Sequence, residues 1–245
     1  MKASTTQNIF INNNELLKKY CTPGQRSILN ENAIRCTYRR GDMVFHENHP
    51  ASNVFFVESG KVELWKEALY TQKQVVRFAG EGDLMGYRGS ILSNSNYYLS
   101  ATVLEDSKIC SVDKTIISTV LKENTELNLK IMLNYINELE KVEDRLKNMV
   151  SMNVREKVAE ALLLLQNALT RKGATAEQEE GGRGKEEIHI PVSRQTIADV
   201  AGTCLGRVVK QIAEFRSEEI LAGRGKKITL LRPDKLEEMV ARFHL

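Results

Sequence analysis

The stretch IHIPVSRQTIADVAGTCLGRVVKQIAEFRSEEILAGRGKKITLLRP, residues 188–233, contains two short amphipathic segments joined by a tight turn. Ser193 is a typical N-cap and predicts a first helix that stops at Gly202. A second helix is predicted to follow directly and to end near Glu218. Two short helices joined by a turn that contains glycine form a helix-turn-helix. The residues after it predict two short strands around the basic segment 224–227, which together would make a wing.

The second predicted helix and the wing carry a local excess of basic residues. In a helix-turn-helix the second helix enters the major groove, where its N-terminal residues meet base edges. Thr203 to Lys227 includes six basic residues against three acidic ones, an excess equal to the formal net charge of +3 on the whole chain. A helical hairpin with a solvated basic face is the alternative, but the turn and wing together favour binding to double-stranded DNA. The predicted DNA-binding residues are Arg194, Gln195, Thr203, Cys204, Arg207, Lys210, Lys226 and Lys227.

A different pattern covers residues 34–112, where short runs rich in β-branched and aromatic residues alternate with turn sequences such as Ser59-Gly60. Such runs are predicted as strands. Many short strands at this spacing predict a double-sheet β-barrel rather than alternating strands and helices. The residues before them are predicted to be helical. The predicted strands cover residues 34–38, 43–46, 54–59, 61–66, 73–79, 97–105 and 108–112.

A long helix is predicted from about Thr125 to about Met152, because apolar residues recur there at spacings of three and four. At about 1.5 Å per residue such a helix is roughly 40 Å long. Its narrow apolar face predicts a two-stranded coiled coil and therefore a homodimer. The alternative is a single helix that lies on its own barrel. The predicted dimer-interface residues are Leu129, Met132, Ile136, Leu139, Leu146 and Met149.

A chain of 245 residues favours two domains over one. The predicted division is a β-barrel sensor domain over 1–123, a dimerisation helix and hinge over 124–153, and a winged helix-turn-helix domain over 154–245. The segment 170–187 is rich in Gly, Glu and Lys, and is predicted to be a mobile loop inside the last domain.

The composition excludes several classes of protein. The N-terminus lacks the continuous apolar segment of a secretion signal, and the longest apolar stretch, 161–165, is far too short for a membrane span. A cytoplasmic protein with no membrane partner is therefore expected. The cysteines, Cys21, Cys36, Cys110 and Cys204, form no CxxC pair, so neither a disulfide framework nor a metal site is expected. No nucleophile–base arrangement or phosphate-binding loop is present, so no catalytic residue is predicted.

A β-barrel, a long dimerisation helix and a C-terminal winged helix-turn-helix, in this order, resemble the Crp/Fnr family of bacterial transcription factors. The matching segments are RRGDMVFHENHPASNVFFVESGKVELWK (39–66), GEGDLMGYRGSIL (80–92) and SRQTIADVAGTCLGRVVKQIAEF (193–215). The resemblance implies an α+β fold with a barrel like a cyclic-nucleotide-binding jelly roll. It also implies a homodimeric, DNA-binding transcription regulator that works with RNA polymerase.

The segment that resembles the family's nucleotide pocket departs from the family pattern. Nucleotide-binding members have a glutamate after the glycine that matches Gly86, and an arginine before the Ser-Ala pair that matches Ser100-Ala101. This chain has Tyr87 and Leu99 at those positions. A buried phosphate without a cation partner is costly, which argues against cyclic AMP or cyclic GMP. Substitution by Arg88 or Arg77 is the alternative. The predicted effector pocket consists of Gly86, Tyr87, Arg88, Leu99 and Ser100.

The sequence also bears on two other cofactors known in the family, an iron–sulfur cluster and haem. Cys21 and Cys36 are too few and too far apart for the family's iron–sulfur cluster. Haem is an open alternative without direct support: its candidate axial ligands would be His46, His49, Met132 and Met149. Surface positions for the histidines and core positions for the methionines are the competing interpretation.

The predicted recognition helix also departs from the family pattern. Members often have an Arg-Glu pair and a later arginine, where this chain has Leu205, Gly206 and Lys210. Gly206 costs about 1 kcal/mol of helix propensity. Arg207 is the predicted substitute for guanine recognition, because it lies near the N-terminus of the helix.

The leading hypothesis is a homodimeric regulator whose barrel senses something other than cyclic AMP. Two alternatives stay open: a cyclic-nucleotide-responsive regulatory module, and a DNA-binding dimer that has no ligand.

Overall fold

A computed structural model describes most of the chain and divides it into two compact units. The first unit includes residues 9–66 and 77–139, and the second lies within 67–76, 140–170 and 178–245. The predicted mobile loop from residue 171 onward and the wing residues 224–227 lie outside the described residues. The domain boundaries predicted from the sequence remain a prediction. The described residues are 9–68, 72–91, 96–170, 188–190, 192–223 and 228–243.

Three short helices open the first unit: α1 (Ile9–Asn13), α2 (Glu15–Tyr20) and α3 (Pro23–Glu31). The start of α3 is fixed by a capping box, in which the Thr22 hydroxyl accepts from Gln25 N and the Gln25 side chain accepts from Thr22 N. The helical prediction is confirmed for the described residues 9–31, and residues 1–8 lie outside the described residues.

Within the described residues, eight strands form the predicted double-sheet barrel. The two sheets have the strand orders β1-β8-β3-β6 and β2-β7-β4-β5. Strand β8 pairs antiparallel with both β1 and β3, with Val112 opposite Ala33 on one side and Val54 on the other. The strands are β1 (Ala33–Tyr38), β2 (Met43–Phe45), β3 (Asn53–Ser59), β4 (Val62–Ala68), β5 (Gln72–Ala79), β6 (Leu84–Met85), β7 (Ser100–Val103) and β8 (Ser107–Asp113).

Two details of the barrel differ from the prediction. The strand predicted over 97–105 is limited to β7, and Tyr97 instead packs its ring into the core. Residues Tyr87–Ile91, for which no element was predicted, form a short helix, α4. Strand β6 has only two residues, too few for any alternation to reveal it from the sequence.

Strand β3 is buried along its length because its two faces pack into different clusters. Phe55 and Val57 join a cluster drawn from both sheets, in which the rings of Phe45 and Tyr97 stack at a centroid distance of 4.5 Å. Phe56, on the opposite face, packs against the N-terminal helices and the helices that follow the barrel. The barrel core therefore combines stacked aromatic rings with aliphatic side chains, and helices cover the outer face of the sheet that contains β3.

Three helices follow the barrel: α5 (Lys114–Glu123), α6 (Thr125–Ser151) and α7 (Val154–Thr170). Asp113 caps α5 by accepting from Thr115 N at 2.7 Å. Asn153 separates α6 from α7 and forms a reciprocal cap with Glu156, each side chain accepting from the other's backbone N–H. The predicted long helix and the break near Asn153 match these bounds. Among the described residues, no helix is long and apolar enough to cross a membrane.

The C-terminal part of the second unit has the predicted helix-turn-helix and strands of the wing. A three-stranded sheet of order β10-β11-β9 lies beside the helices, and its strand β9 and the final helix were not predicted. The elements are β9 (Ile188–Ile190), α8 (Arg194–Ala201), α9 (Leu205–Ser217), β10 (Leu221–Ala222), β11 (Ile228–Leu230), α10 (Pro233–Val240) and a 3-10 turn (Ala241–Phe243).

Candidate DNA-binding interface and effector region

The turn between α8 and α9 has the geometry that the sequence predicts. Ser193 caps α8 by accepting from Thr196 N at 3.0 Å, and Gly202 ends it with φ 62° and ψ 39°. This left-handed conformation is accessible to glycine at little cost. Thr203 N donates to Ala198 O, and Cys204 is the N-cap of α9. The backbone of the turn thus fixes where α9 begins.

Buried apolar side chains fix the rotation of α9 about its axis. Ile197 of α8 and Val208, Ile212 and Phe215 of α9 are completely buried. Because these α9 positions repeat with helical spacing, the other side of α9 faces solvent.

The six predicted DNA-binding residues that the structure describes separate into three groups. Cys204, Arg207 and Lys210 are exposed on α9. Arg194 and Gln195, in the first turn of α8, are half-buried, and Gln195 donates to Asp199 Oδ1 at 2.8 Å.

Thr203 is only 7% exposed, so its side chain belongs to the turn and not to the solvent-facing surface of α9. Lys226 and Lys227 lie outside the described residues.

Two large apolar residues on the exposed face of α9 were not among the predicted site residues. Leu205 and Val209 are 43% and 45% exposed. The sequence signal was available for Val209, which lies off the stripe formed by Val208, Ile212 and Phe215. It was not available for Leu205, whose spacing of three residues from Val208 continues that stripe to the first position of α9. Apolar residues in an amphipathic helix are expected to be core, which is why this signal is easily missed.

Within the second unit, Arg145 of α6 donates to three backbone carbonyls. Its guanidinium bonds Val75 O at 2.8 Å and Val76 O at 2.9 Å, and also bonds Val200 O in the last turn of α8. A cation is favourable there because the C-terminal carbonyls of a helix carry partial negative charge. Burial lowers the pKa of Arg145, and the nearby Glu160 carboxylate opposes this shift. Arg145 therefore ties α6 to the helix-turn-helix.

The space beside the Gly202 Cα is occupied by side chains of the same unit. A Cβ at this position would lie 2.4 Å from Met149 Cε and 2.8 Å from Gln74 Oε1. Met149, a predicted dimer-interface residue, thus contacts the turn of the helix-turn-helix in its own unit.

Tyr87, at the position where nucleotide-binding relatives are expected to have a glutamate, is 4% exposed. Its phenol donates to Glu138 Oε2 of α6 at 3.1 Å. Arg77 lies 3.3 Å from the other oxygen of Glu138, and also donates to Leu84 O at 2.9 Å. Burial and the Glu138 carboxylate raise the pKa of Tyr87, which keeps the phenol protonated as a donor.

Arg88 is exposed and lies against aromatic rings. Its guanidinium carbon is 4.7 Å from the ring centroid of Tyr135 and 5.4 Å from that of Tyr98. The two arginines considered as phosphate ligands, Arg77 and Arg88, therefore contact a carboxylate and two aromatic rings, respectively.

The predicted effector-pocket residues are not brought together. Tyr87 belongs to the cluster on the helical side of β3, whereas Leu99 packs against the cluster shared by the two sheets. Ser100 is buried and accepts from Glu47 N at 3.0 Å. Gly86 has φ 75°, and a Cβ there would lie 3.1 Å from the ring of Tyr97. Gly86 keeps its positive φ, but the Tyr87 and Leu99 side chains pack into two separate clusters and Arg88 is exposed.

Comparison with known proteins agrees with this architecture. A cyclic nucleotide-binding domain model matches residues 35–124, and a Crp-like helix-turn-helix domain model matches residues 156–239. The chain belongs to the Crp/Fnr family. It is a DNA-binding transcription regulator with a barrel of the cyclic-nucleotide-binding type.

Three relatives illustrate the extent of the match. The nitrogen fixation regulation protein FixK of Bradyrhizobium diazoefficiens is 26% identical, covering 84% of this chain and 82% of the relative. The fumarate and nitrate reduction regulatory protein of Vibrio cholerae is 21% identical, covering 82% and 76%. The structure of FixK2 from Bradyrhizobium japonicum has the same fold, with a TM-score of 0.65 at 22% identity, covering 84% of this chain and 96% of that one.

In this Crp/Fnr regulator, α6 carries apolar side chains that its own chain leaves exposed. Five of the six predicted dimer-interface residues belong to this set, and Met149 is the exception described above. The exposed fractions are 54% for Leu129, 54% for Met132, 53% for Ile136, 41% for Leu139 and 64% for Leu146, with Val150 at 82% beyond them.

The candidate haem ligands lie in three separate places in this regulator: the two histidines together, and Met132 and Met149 at two positions on α6. The rings of His46 and His49 lie 5.1 Å apart beside the barrel, and Met132 is on the exposed face of α6. Cys36 and Cys204 are exposed, whereas Cys21 and Cys110 are buried. Across the part of the chain that the structure describes, no three His, Cys, Asp or Glu side chains form a metal-binding group.

Proposed function

We propose that this regulator acts as a homodimer that presents two copies of α9 to double-stranded DNA and needs no cyclic nucleotide to do so. The exposed face of α9, with Arg207 and Lys210 on it, is the observation that carries the proposal. Cationic side chains at the N-terminal half of a recognition helix are placed to meet phosphates and base edges.

Dimerisation through α6 is supported by its exposed apolar face. Leu129, Ile136 and Leu146 are each more than half exposed. Apolar side chains in a row along a long helix are covered most simply by the same row of a second copy. A dimer would also double the number of phosphate contacts per complex.

Independence from cyclic nucleotides is supported by the surroundings of Tyr87. In nucleotide-binding relatives, a bound ligand is held by a glutamate and an arginine that this chain replaces. Here the Tyr87 phenol bonds Glu138 directly, and Arg77 bonds the same carboxylate. These side chains already connect α4 to α6, so no ligand is needed to bridge the two elements.

The remaining parts of the proposal concern partners and location. We propose RNA polymerase as the protein partner and the bacterial cytoplasm as the location, since both follow from regulation of transcription. We further propose a purely regulatory role without catalysis.

Affinity for duplex DNA, measured by fluorescence anisotropy over a range of salt concentrations, tests the proposal. The logarithm of the binding constant should fall steeply with the logarithm of salt, because each phosphate contact releases a counterion. Arg207→Ala should relax the sequence preference. Lys141→Ala removes the same charge from an exposed position on α6, and should change neither the salt dependence of the affinity nor the sequence preference. A salt-independent affinity would contradict the proposal.

A further inference from the structure

The exposed face of α9 is divided lengthwise into an apolar half and a polar half. At about 100° per residue, Leu205, Val209 and Ala213 lie on one side of this face. Arg207, Lys210 and Glu214 lie on the other side, with Gly206 and Lys210 nearest the midline. Because Leu205 and Val209 are one turn apart and both more than 40% exposed, they form a continuous apolar ridge near the N-terminus of the helix.

Gly206 has no role in packing inside the protein. A Cβ at this position would meet nothing within 4 Å, and its φ is not in the left-handed region. It lies opposite Val208 and Phe215, which are buried. A glycine inside a helix is unfavourable, so its position on the midline of the exposed face is explained by what approaches from outside. Glycine allows a ligand to come close to the helix backbone.

We infer that α9 recognises thymine-containing half-sites through the thymine 5-methyl groups, with Leu205 and Val209 as the contacting side chains and Gly206 permitting close approach. This inference rests on the proposed function. In the major groove only the T methyl offers an apolar contact, and apolar side chains recognise it. Leu205 and Val209 can form no hydrogen bond to guanine, while Arg207 and Lys210 supply the cationic half of the same surface.

Replacement of thymine by deoxyuridine tests the methyl contact, because it removes only the 5-methyl group. The preferred duplex is first selected from a random pool with the full-length chain, and its thymines are then replaced one at a time. At one or two positions in each half-site, affinity should fall about fourfold per methyl, which is the value expected for one buried methylene. The Leu205→Ala protein and the Val209→Ala protein should each bind the parent duplex as tightly as the duplex that carries uracil at the affected position.

Lys210→Ala is the matched control on the polar half of the face. It should weaken binding to the thymine and uracil duplexes by the same factor, because it removes charge and leaves the ridge intact. If the unmodified protein binds every uracil-substituted duplex as tightly as the parent, methyl recognition is wrong. A pool that yields no preferred sequence contradicts the proposed function itself, and the two failures are therefore distinguishable.

Gly206→Ala tests close approach without risk of unfolding. The substitution should raise Tm by about 2–4 °C through helix propensity, yet lower affinity for the selected duplex several-fold. Gly24 provides the control, since it is exposed in the first turn of α3 and a Cβ there also meets nothing within 4 Å. Gly24→Ala should leave DNA affinity unchanged. Unchanged affinity in Gly206→Ala would overturn the role given to Gly206.

Discussion

The Tyr87 phenol donates a hydrogen bond to Glu138 Oε2 at 3.1 Å, which links the short helix α4 to the long helix α6. Arg77 contacts the other oxygen of the same carboxylate. The carboxylate thus receives a neutral donor and a cation in a partly buried setting, where each interaction is worth more than it would be in water.

Tyr87→Phe should remove this bond and keep the ring packing. We expect the free energy of unfolding to fall by about 1 kcal/mol, the usual contribution of one hydrogen bond. The corresponding decrease in Tm is about 2–4 °C for a chain of this size, measured by thermal denaturation. Tyr98→Phe is the control because Tyr98 is exposed, and its Tm should not change. Equal Tm values for the two variants would contradict the importance of the bond.

Arg145→Ala should weaken the packing of α8 in the second unit. The guanidinium donates to Val75 O, Val76 O and Val200 O, and its loss leaves these carbonyls without that donor. We expect a loss of about 1.5–3 kcal/mol, the range for a hydrogen bond to a charged group, measured by chemical denaturation. Lys147→Ala, an exposed residue of the same helix, should have little effect. A similar loss in both variants would indicate a general effect of charge on α6.

The four cysteines should differ in reactivity. Burial raises the pKa of Cys21 to about 11 and that of Cys110 to about 12, so neither forms appreciable thiolate near neutral pH. Cys36 and Cys204 are exposed. Alkylation followed by mass spectrometry should label these two first, and bound duplex DNA should slow labelling of Cys204 but not of Cys36. Equal labelling of Cys204 with and without DNA would contradict its position at the interface.

The raised thiol pKa values also predict how stability depends on pH. An unfolded thiol ionises near pH 9, whereas folded Cys110 keeps its proton until about pH 12. The contribution of the Cys110 thiol to the free energy of unfolding is therefore fully present below pH 9. It is lost as the pH rises from 9 to about 12. Cys110→Ala should make the fall in the free energy of unfolding above pH 9 less steep than in the unmodified chain. An unchanged slope would mean that Cys110 titrates normally in the folded state.

The exposed apolar face of α6 predicts that one charge can separate the dimer. Ile136→Glu should give a monomer in light scattering, since two carboxylates would face each other across the interface and remain desolvated. Glu140→Gln, on the same helix but exposed and polar, should remain dimeric. A dimer of unchanged stability in Ile136→Glu would show that another surface forms the interface.

The helix-turn-helix could be predicted closely because its signals are local. Ser193 caps α8 and Gly202 ends it in the left-handed conformation, and both features depend on the type of residue alone. The long helix α6 was equally predictable from its repeat.

The contacts around the effector region could not be predicted in the same way. Tyr87 and Leu99 occupy matching positions in a family pattern, but they pack into different clusters, because α4 turns one side chain toward α6. The partners of Arg145 are backbone carbonyls, which no pattern of side chains reveals.

The most direct test is the affinity of the full-length chain for its selected duplex, measured by fluorescence anisotropy with and without cyclic AMP or cyclic GMP. We expect sequence-preferring binding as a dimer. The bond between Tyr87 and Glu138 predicts that the dissociation constant is the same in the presence and absence of nucleotide. Binding that occurs only when a cyclic nucleotide is added would contradict the account.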